Sequence, residues 1–262
     1  MGCASGDSQD GSHLFRSIGF SRAVLYKEKD EAMKTIGLIG GMSWESTVPY
    51  YQIINRTVQK EMGGLHSAKI LLYSVDFDEI ERFQASGEWE KSGEYLAEIA
   101  LNLEEAGADF IVLCTNTMHK TASRIEQNIH IELLHIAEVT ADALIEQNIR
   151  KVGLLGTRYT MMQDFYKNKL IEKGIEVLIP APEDITVVND IIYNELCRGL
   201  ILADSKQKYL EVVSKLQKQG AEGVILGCTE IGLLIKQEDV SLPVFDTTQL
   251  HAQKAALLAL EK

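Results

Sequence analysis

The chain has 262 residues, 45% of them apolar and 24% charged, a make-up that fits a folded globular protein and excludes disordered and fibrous classes. Its formal net charge of −12, without any clustered Lys or Arg tract, excludes nucleic acid and anionic membrane surfaces as expected partners. The four cysteines (Cys3, Cys114, Cys197, Cys228) lack the spacing of a disulfide scaffold or a zinc site, and no apolar run reaches the ~18–20 residues of a membrane span, so a cytoplasmic protein is expected.

Residues 1–32, rich in Gly, Ser and Asp as far as Ser12, read as an N-terminal extension, either disordered or added by cloning, ahead of a natural start at Met33. Thr35 to Ile39 is a short apolar strand, closed by Gly40 and Gly41 and followed by a helix from Ser46 to Glu61. Lys69 to Val75 reads as a strand, Gly93 to Glu105 as an amphipathic helix, Phe110 to Leu113 as a third strand, Leu133 to Ala137 as a fourth, and Val139 to Ile145 as a helix. The order then repeats: strand Val152 to Leu155, helix Asp164 to Glu172, strand Glu176 to Ile179, helix Leu210 to Lys218, strand Val224 to Leu226 and strand Pro243 to Asp246, with a final helix from Gln249. Strands buried on both faces and separated by helices specify an α/β protein with parallel sheets.

Two pairs of segments repeat one another: Ile36 to Gly41 matches Val152 to Thr157, and Gly107 to Thr117 matches Gly220 to Glu230. The spacing, roughly 115 residues, is too long for a solenoid unit and predicts two small pseudo-symmetric domains with a cleft between them. Ligands of open parallel sheets bind beyond the carboxyl ends of the strands. Aligned from the glycines, Cys228 falls opposite Thr115, and Cys114 falls opposite Gly227.

Cys228 ends a strand where a helix begins, a setting that lowers a thiol pKa. Cys114 and Thr115 are adjacent on a strand, so only one of them faces the cleft; the internal alignment selects Thr115, with Cys114 as the alternative. Asn116 and Thr117 offer an amide, a hydroxyl and backbone N–H groups as a seat for a carboxylate. Cys197, within an expected helix, reads as a small buried apolar residue. Gly37 to Gly41 lacks the spacing of a dinucleotide fingerprint, Cys114 and His119 do not form a metal pair, and there is neither a P-loop nor a G-x-S-x-G elbow. No cofactor and no metal are therefore expected.

On Gly40 to Met42, Asn116, Thr117, the run Gly227 to Glu230 and the closing Pro243 to Asp246, the segment from Met33 to Lys262 resembles the aspartate/glutamate racemase family of cofactor-independent amino-acid racemases. Gly41 to Thr47 and Gly156 to Thr160 are most similar to its bacterial broad-specificity branch. The resemblance implies a first α/β domain of residues 33–131 plus 241–262 and a second of residues 132–240, the last strand and helix returning to the first. It also implies an amino-acid substrate, a homodimer, and catalytic groups on opposite faces of the substrate Cα. Here those are Cys228 and Thr115, where the family commonly has two cysteines; Met42, Gln84, Asn116, Thr117, Thr229 and Glu230 would bind substrate. Arg198, Arg82 and Arg158 are the candidates for holding an acidic side chain. The alternatives are a single-thiol decarboxylase or isomerase of the same superfamily, and a non-catalytic small-molecule-binding protein.

Overall fold

A computed structural model describes Met1, Gly2 and residues 33–261, so the rest of the expected N-terminal extension, with Cys3, lies outside the described residues. The first half runs β1 (Thr35–Gly40), α1 (Trp44–Met62), β2 (Lys69–Ser74), α2 (Phe77–Ser86), α3 (Trp89–Glu105), β3 (Phe110–Leu113), α4 (Ala122–Glu126), β4 (Glu132–Leu134) and α5 (Ile136–Glu146). The second runs β5 (Lys151–Gly156), α6 (Arg158–Met162), α7 (Asp164–Glu172), β6 (Glu176–Leu178), α8 (Pro182–Asn194), α9 (Ala203–Lys218), β7 (Gly223–Gly227), α10 (Ile231–Leu234), β8 (Val244–Asp246) and α11 (Thr247–Leu260).

These strands form two four-stranded sheets of matching order, β2-β1-β3-β4 and β6-β5-β7-β8, with every pairing parallel. The central strands β1, β3, β5 and β7 are almost wholly buried, as their unbroken apolar sequences require. Equivalent acidic residues set the two registers: Thr35 N–H donates to Asp109 Oδ2, and Lys151 N–H donates to Glu222 Oε2. The fold is α/β, with a parallel sheet flanked by helices in each half.

The expected domain limits shift at both crossings. β4, placed by the sequence in the second domain, pairs with β3 of the first sheet; β8, placed in the first, pairs with β7 of the second. The helices that follow them change sides. Ile136, Ala137, Ala141 and Leu144 of α5 pack with Val152, Leu154 and Ile225 of the second sheet, and Ala252, Ala255, Ala256 and Ala259 of α11 pack with Ile36, Leu38 and Val112 of the first and with Tyr50 of α1. Each half therefore supplies one helix to the other, and the four small side chains of α11 admit close approach to α1. The opposite faces are covered by α3 on the first sheet and by α8 and α9 on the second.

Several elements differ locally from expectation. The strand expected at Leu133 to Ala137 stops at Leu134, because His135 caps α5 by accepting the Ala137 N–H at its Nδ1. α2, α4, α6 and α8 have no counterpart in the sequence reading. The β-branched run in α8 (Ile185, Thr186, Val187, Val188) disfavours a helix locally, and burial of Ile185, Val188, Ile191 and Ile192 against the second sheet overrides that preference. Among the described residues no helix is long and apolar enough to cross a membrane.

Candidate active site

The strand ends bring the two repeated turns to one pocket. β1 pairs Ile36 with Phe110, and β5 pairs Val152 with Gly223. Thr115 stands five residues beyond Phe110, and Cys228 five residues beyond Gly223. Both line one pocket together with Met42, Gln84, Asn116, Thr117, Thr229 and Glu230, so the eight residues expected from the sequence to act on or bind substrate meet there. Cys114 points the other way: it is fully buried among Tyr50, Ile36 and Leu38 under α1, and burial pushes its thiol pKa up.

Five further residues line the pocket: Phe77, Thr157, Ile192, Tyr193 and Cys197. Phe77 belongs to α2, and Ile192 and Tyr193 to α8, helices that the sequence reading lacked, so it held no signal for them. Thr157 was within reach, since it is the repeat partner of Gly41. Cys197 corrects an expectation: it sits in a short 3-10 turn, Leu196–Arg198, and its side chain both packs against the core of the second half and lines the pocket. Arg82, Arg158 and Arg198 are exposed and none of them lines the pocket; Arg82 is paired with Asp78 on its own helix. Glu230 is the only charged residue type in the lining among the described residues.

Glu230 is committed on both oxygens. Ser43 Oγ donates to its Oε1 at 2.7 Å, while Cys228 Sγ donates to its Oε2 at 3.0 Å and Thr229 Oγ1 donates to the same oxygen at 2.9 Å. It is 2% exposed, and these three donors reach it from within the protein. The expected lowering of the Cys228 pKa is reversed: burial pushes the thiol well up, and the neighbouring Glu230 charge adds to this. The helix that follows, α10, has four residues, too short to offset burial. Cys228 is therefore a protonated thiol at rest, aimed at a carboxylate.

The first turn is built differently. The Thr247 hydroxyl gives its one proton to the Leu226 carbonyl at 2.8 Å, so it can only accept from Asn116, which fixes the Asn116 Nδ2 on that side at 3.0 Å. The Asn116 Oδ1 is left buried without a hydrogen-bond partner among the described residues. The Thr117 and Thr157 hydroxyls meet at 2.9 Å and join the two halves across the pocket. Gln84 closes another side: its Oε1 accepts from the Tyr193 hydroxyl at 3.1 Å and its main-chain carbonyl accepts from the Tyr159 hydroxyl at 3.2 Å. Burial raises the Tyr193 pKa, which keeps that phenol a donor.

A family profile described as Asp/Glu/Hydantoin racemase matches residues 39–255. The broad specificity amino-acid racemase RacX of Bacillus subtilis (strain 168) is 24% identical over 83% of this chain and 95% of its own length. A crystal structure from Yersinia pestis assigned to the Asp/Glu racemases shares 56% identity with a TM-score of 0.82, covering 87% of this chain and all of that one. An aspartate racemase homologue from Pyrococcus horikoshii OT3 shares 37% identity with a TM-score of 0.77 over the same fractions, 87% and 100%. Matched by that profile over most of its length, the chain belongs to the Asp/Glu/hydantoin racemase family.

Proposed function

We propose that the protein is a cofactor-independent amino-acid racemase acting on aspartate or glutamate, with Cys228 and Thr115 on opposite faces of the substrate Cα. The observation that carries this reading is the register equivalence of the two residues combined with their shared pocket. Membership of the racemase family supports the reaction class.

The chemistry divides unevenly. The Cys228 thiol passes its proton to Glu230 Oε2, and the thiolate so formed takes the Cα proton, regenerating the thiol and leaving a carbanion beside the substrate carboxylate. The Thr115 hydroxyl delivers a proton to the other face, and the alkoxide it becomes is restored through solvent by the proton stored on Glu230, which balances the cycle. Backbone N–H groups of the two turns hold the substrate carboxylate and stabilise the charge developing on it. The unpartnered Asn116 Oδ1 is an acceptor, so it suits the substrate ammonium rather than the carboxylate. A hydroxyl is a much weaker acid than a thiol, so delivery from Thr115 limits inversion.

A second reading of the substrate is favoured by the side-chain end of the pocket. Gln84 and Tyr193 are neutral donors and acceptors there, and the three candidate arginines lie outside. Such a lining fits a neutral polar side chain as well as an acidic one. Incubating the enzyme in D2O with both enantiomers of aspartate, glutamate, asparagine, glutamine and serine, and following Cα deuteration and chirality together, tests both readings. Inversion of aspartate or glutamate at the highest rate supports the first, faster inversion of the neutral set supports the second, and exchange of none of them defeats the racemase assignment.

A further inference from the structure

Three buried imidazoles, those of His119, His135 and His251, lie behind the Thr115 turn, outside the pocket lining. The His119 ring lies 4.6 Å from that of His135 and 5.9 Å from that of His251, centroid to centroid. His251 is held by Tyr50, whose hydroxyl donates to its Nδ1 at 2.8 Å, and it donates from Nε2 to the Leu134 carbonyl at 2.8 Å. His119 reaches the catalytic turn itself. Its Nδ1 faces the main-chain carbonyl of Thr115 at 2.7 Å and must donate; its Nε2 then has to be the acceptor, and there it receives the Ile136 N–H at 3.2 Å. One neutral tautomer satisfies both contacts, and burial together with the neighbouring His135 holds the ring far below its usual pKa.

We propose that His119 is the positioning residue for Thr115, fixing the carbonyl of that residue to the start of α5 so that its hydroxyl stays aimed at the substrate Cα. The role rests on the racemase reading given above. The second turn has no such brace. The register partner of His119 is Gly232, where an added Cβ would come within 2.2 Å of Asp246 Oδ2, so the space of the imidazole is taken there by the capping carboxylate. Cys228 is held instead through its thiol on Glu230. His119 therefore serves one face of the reaction only.

The test separates its two hydrogen bonds. In His119→Asn the side-chain amide sits where Nδ1 was and can still donate to Thr115; in His119→Gln it sits where Nε2 was and can receive Ile136 but not reach Thr115. With positioning errors of about 1 Å costing up to about 10²-fold, inversion should fall roughly tenfold or more in His119→Gln and stay within roughly threefold of wild type in His119→Asn. Deuterium exchange of the enantiomer that presents its Cα–H to Cys228 should stay within about twofold in both variants, because that face does not use the brace. Equal losses of inversion and exchange, or Gln matching or exceeding Asn, would overturn the proposal in favour of a structural tie to α5. Amide hydrogen exchange of Thr115 to Met118 provides an arm that needs no turnover. It should quicken in His119→Gln and not in His119→Asn, with β5 and β7 unchanged, and unaltered exchange overturns the proposal even if no amino acid proves to be a substrate.

Discussion

The Thr115 turn and the Cys228 turn leave their sheets at the same register and then diverge at every position that carries chemistry. Thr115 corresponds to Cys228, Thr117 to Glu230, His119 to Gly232, and one strand further on the α5 cap His135 corresponds to the α11 cap Asp246. The backbone frame is common, down to the acidic residues that tie β1 to β3 and β5 to β7. What differs is the means of support. The second turn is organised around a buried carboxylate that binds the thiol directly, and the first is organised around neutral imidazoles that bind main chain. A symmetric frame thus carries an asymmetric pair of turns, one with a carboxylate beside its leading side chain and one without.

The strongest way to break this comparison is to remove the thiol. Cys228→Ala should lower both Cα exchange and inversion by about 10³-fold, the upper range for a positioned acid–base group, while circular dichroism and Tm remain close to wild type. Retention of most of the activity in protein free of contaminating racemase would remove Cys228 from the mechanism. Next in size is the carboxylate. Glu230→Gln keeps one oxygen, which can accept from Ser43 or from Thr229 but not from both, and it cannot take the thiol proton, so exchange at the Cys228 face should drop about 10²-fold. A variant with unchanged kcat and raised KM would mean that Glu230 binds substrate instead.

The comparison can be sharpened from the other side by making the two turns chemically alike. Thr115→Cys places a second thiol at the register partner of Cys228, and inversion should rise about tenfold relative to exchange, since a thiol is the better acid. Cys114→Ala is the matched control: its side chain lies in the core under α1, so it should cost about 1 kcal/mol of stability and leave the inversion-to-exchange ratio alone. A strong loss of turnover in Cys114→Ala, with no gain in Thr115→Cys, would invert the register of the first turn.

Much of this frame was legible because it is written in contiguous, periodic sequence. The matched runs Ile36 to Gly41 and Val152 to Thr157 fix the offset of the strands that follow, so the pairing of Thr115 with Cys228 can be read without coordinates, with Cys114 facing the cleft as the alternative that its burial under α1 removes. The exchange of β4 and β8 between the expected domains was not legible, because three-residue strands carry no periodicity and their partners are chosen by the sheet edge. Nor was the true engagement of Glu230, which depends on Ser43, 187 residues away in sequence. Cys197 and Tyr193 enter the pocket from a turn and a helix whose local residues argue against a helix. The thiol pKa of Cys228 was misjudged for a related reason: a helix start is visible in sequence, whereas the depth of burial that outweighs it is a property of the packed fold.

The smallest expected effect concerns the caps, and it depends on pH rather than on turnover. His135 and Asp246 occupy equivalent positions, and burial favours the uncharged form of both, but the signs for stability are opposite. Burial, followed by the charge of Lys169, lowers the His135 pKa to about 3. The unfolded chain then takes up a proton below about 6.5 that the folded protein refuses, so the contribution of His135 is complete above that pH and is lost as pH falls toward 3. His251, lowered to about 3 by burial and by His119, acts in the same direction. Asp246 is raised by burial, so its contribution is complete at low pH and declines as pH rises through its folded value. In His135→Asn the amide oxygen can still accept the Ala137 N–H but does not titrate. Urea unfolding of this variant should match wild type at pH 7.5 within about 1 kcal/mol, the typical difference between good caps. Between pH 6 and pH 4.5 its stability should fall less steeply, by up to about 1.4 kcal/mol per pH unit, the largest slope one proton can impose. Parallel stability curves over that interval would show that His135 takes up its proton in the folded protein, and the neutral brace of the first turn would lose its acid-sensitive member.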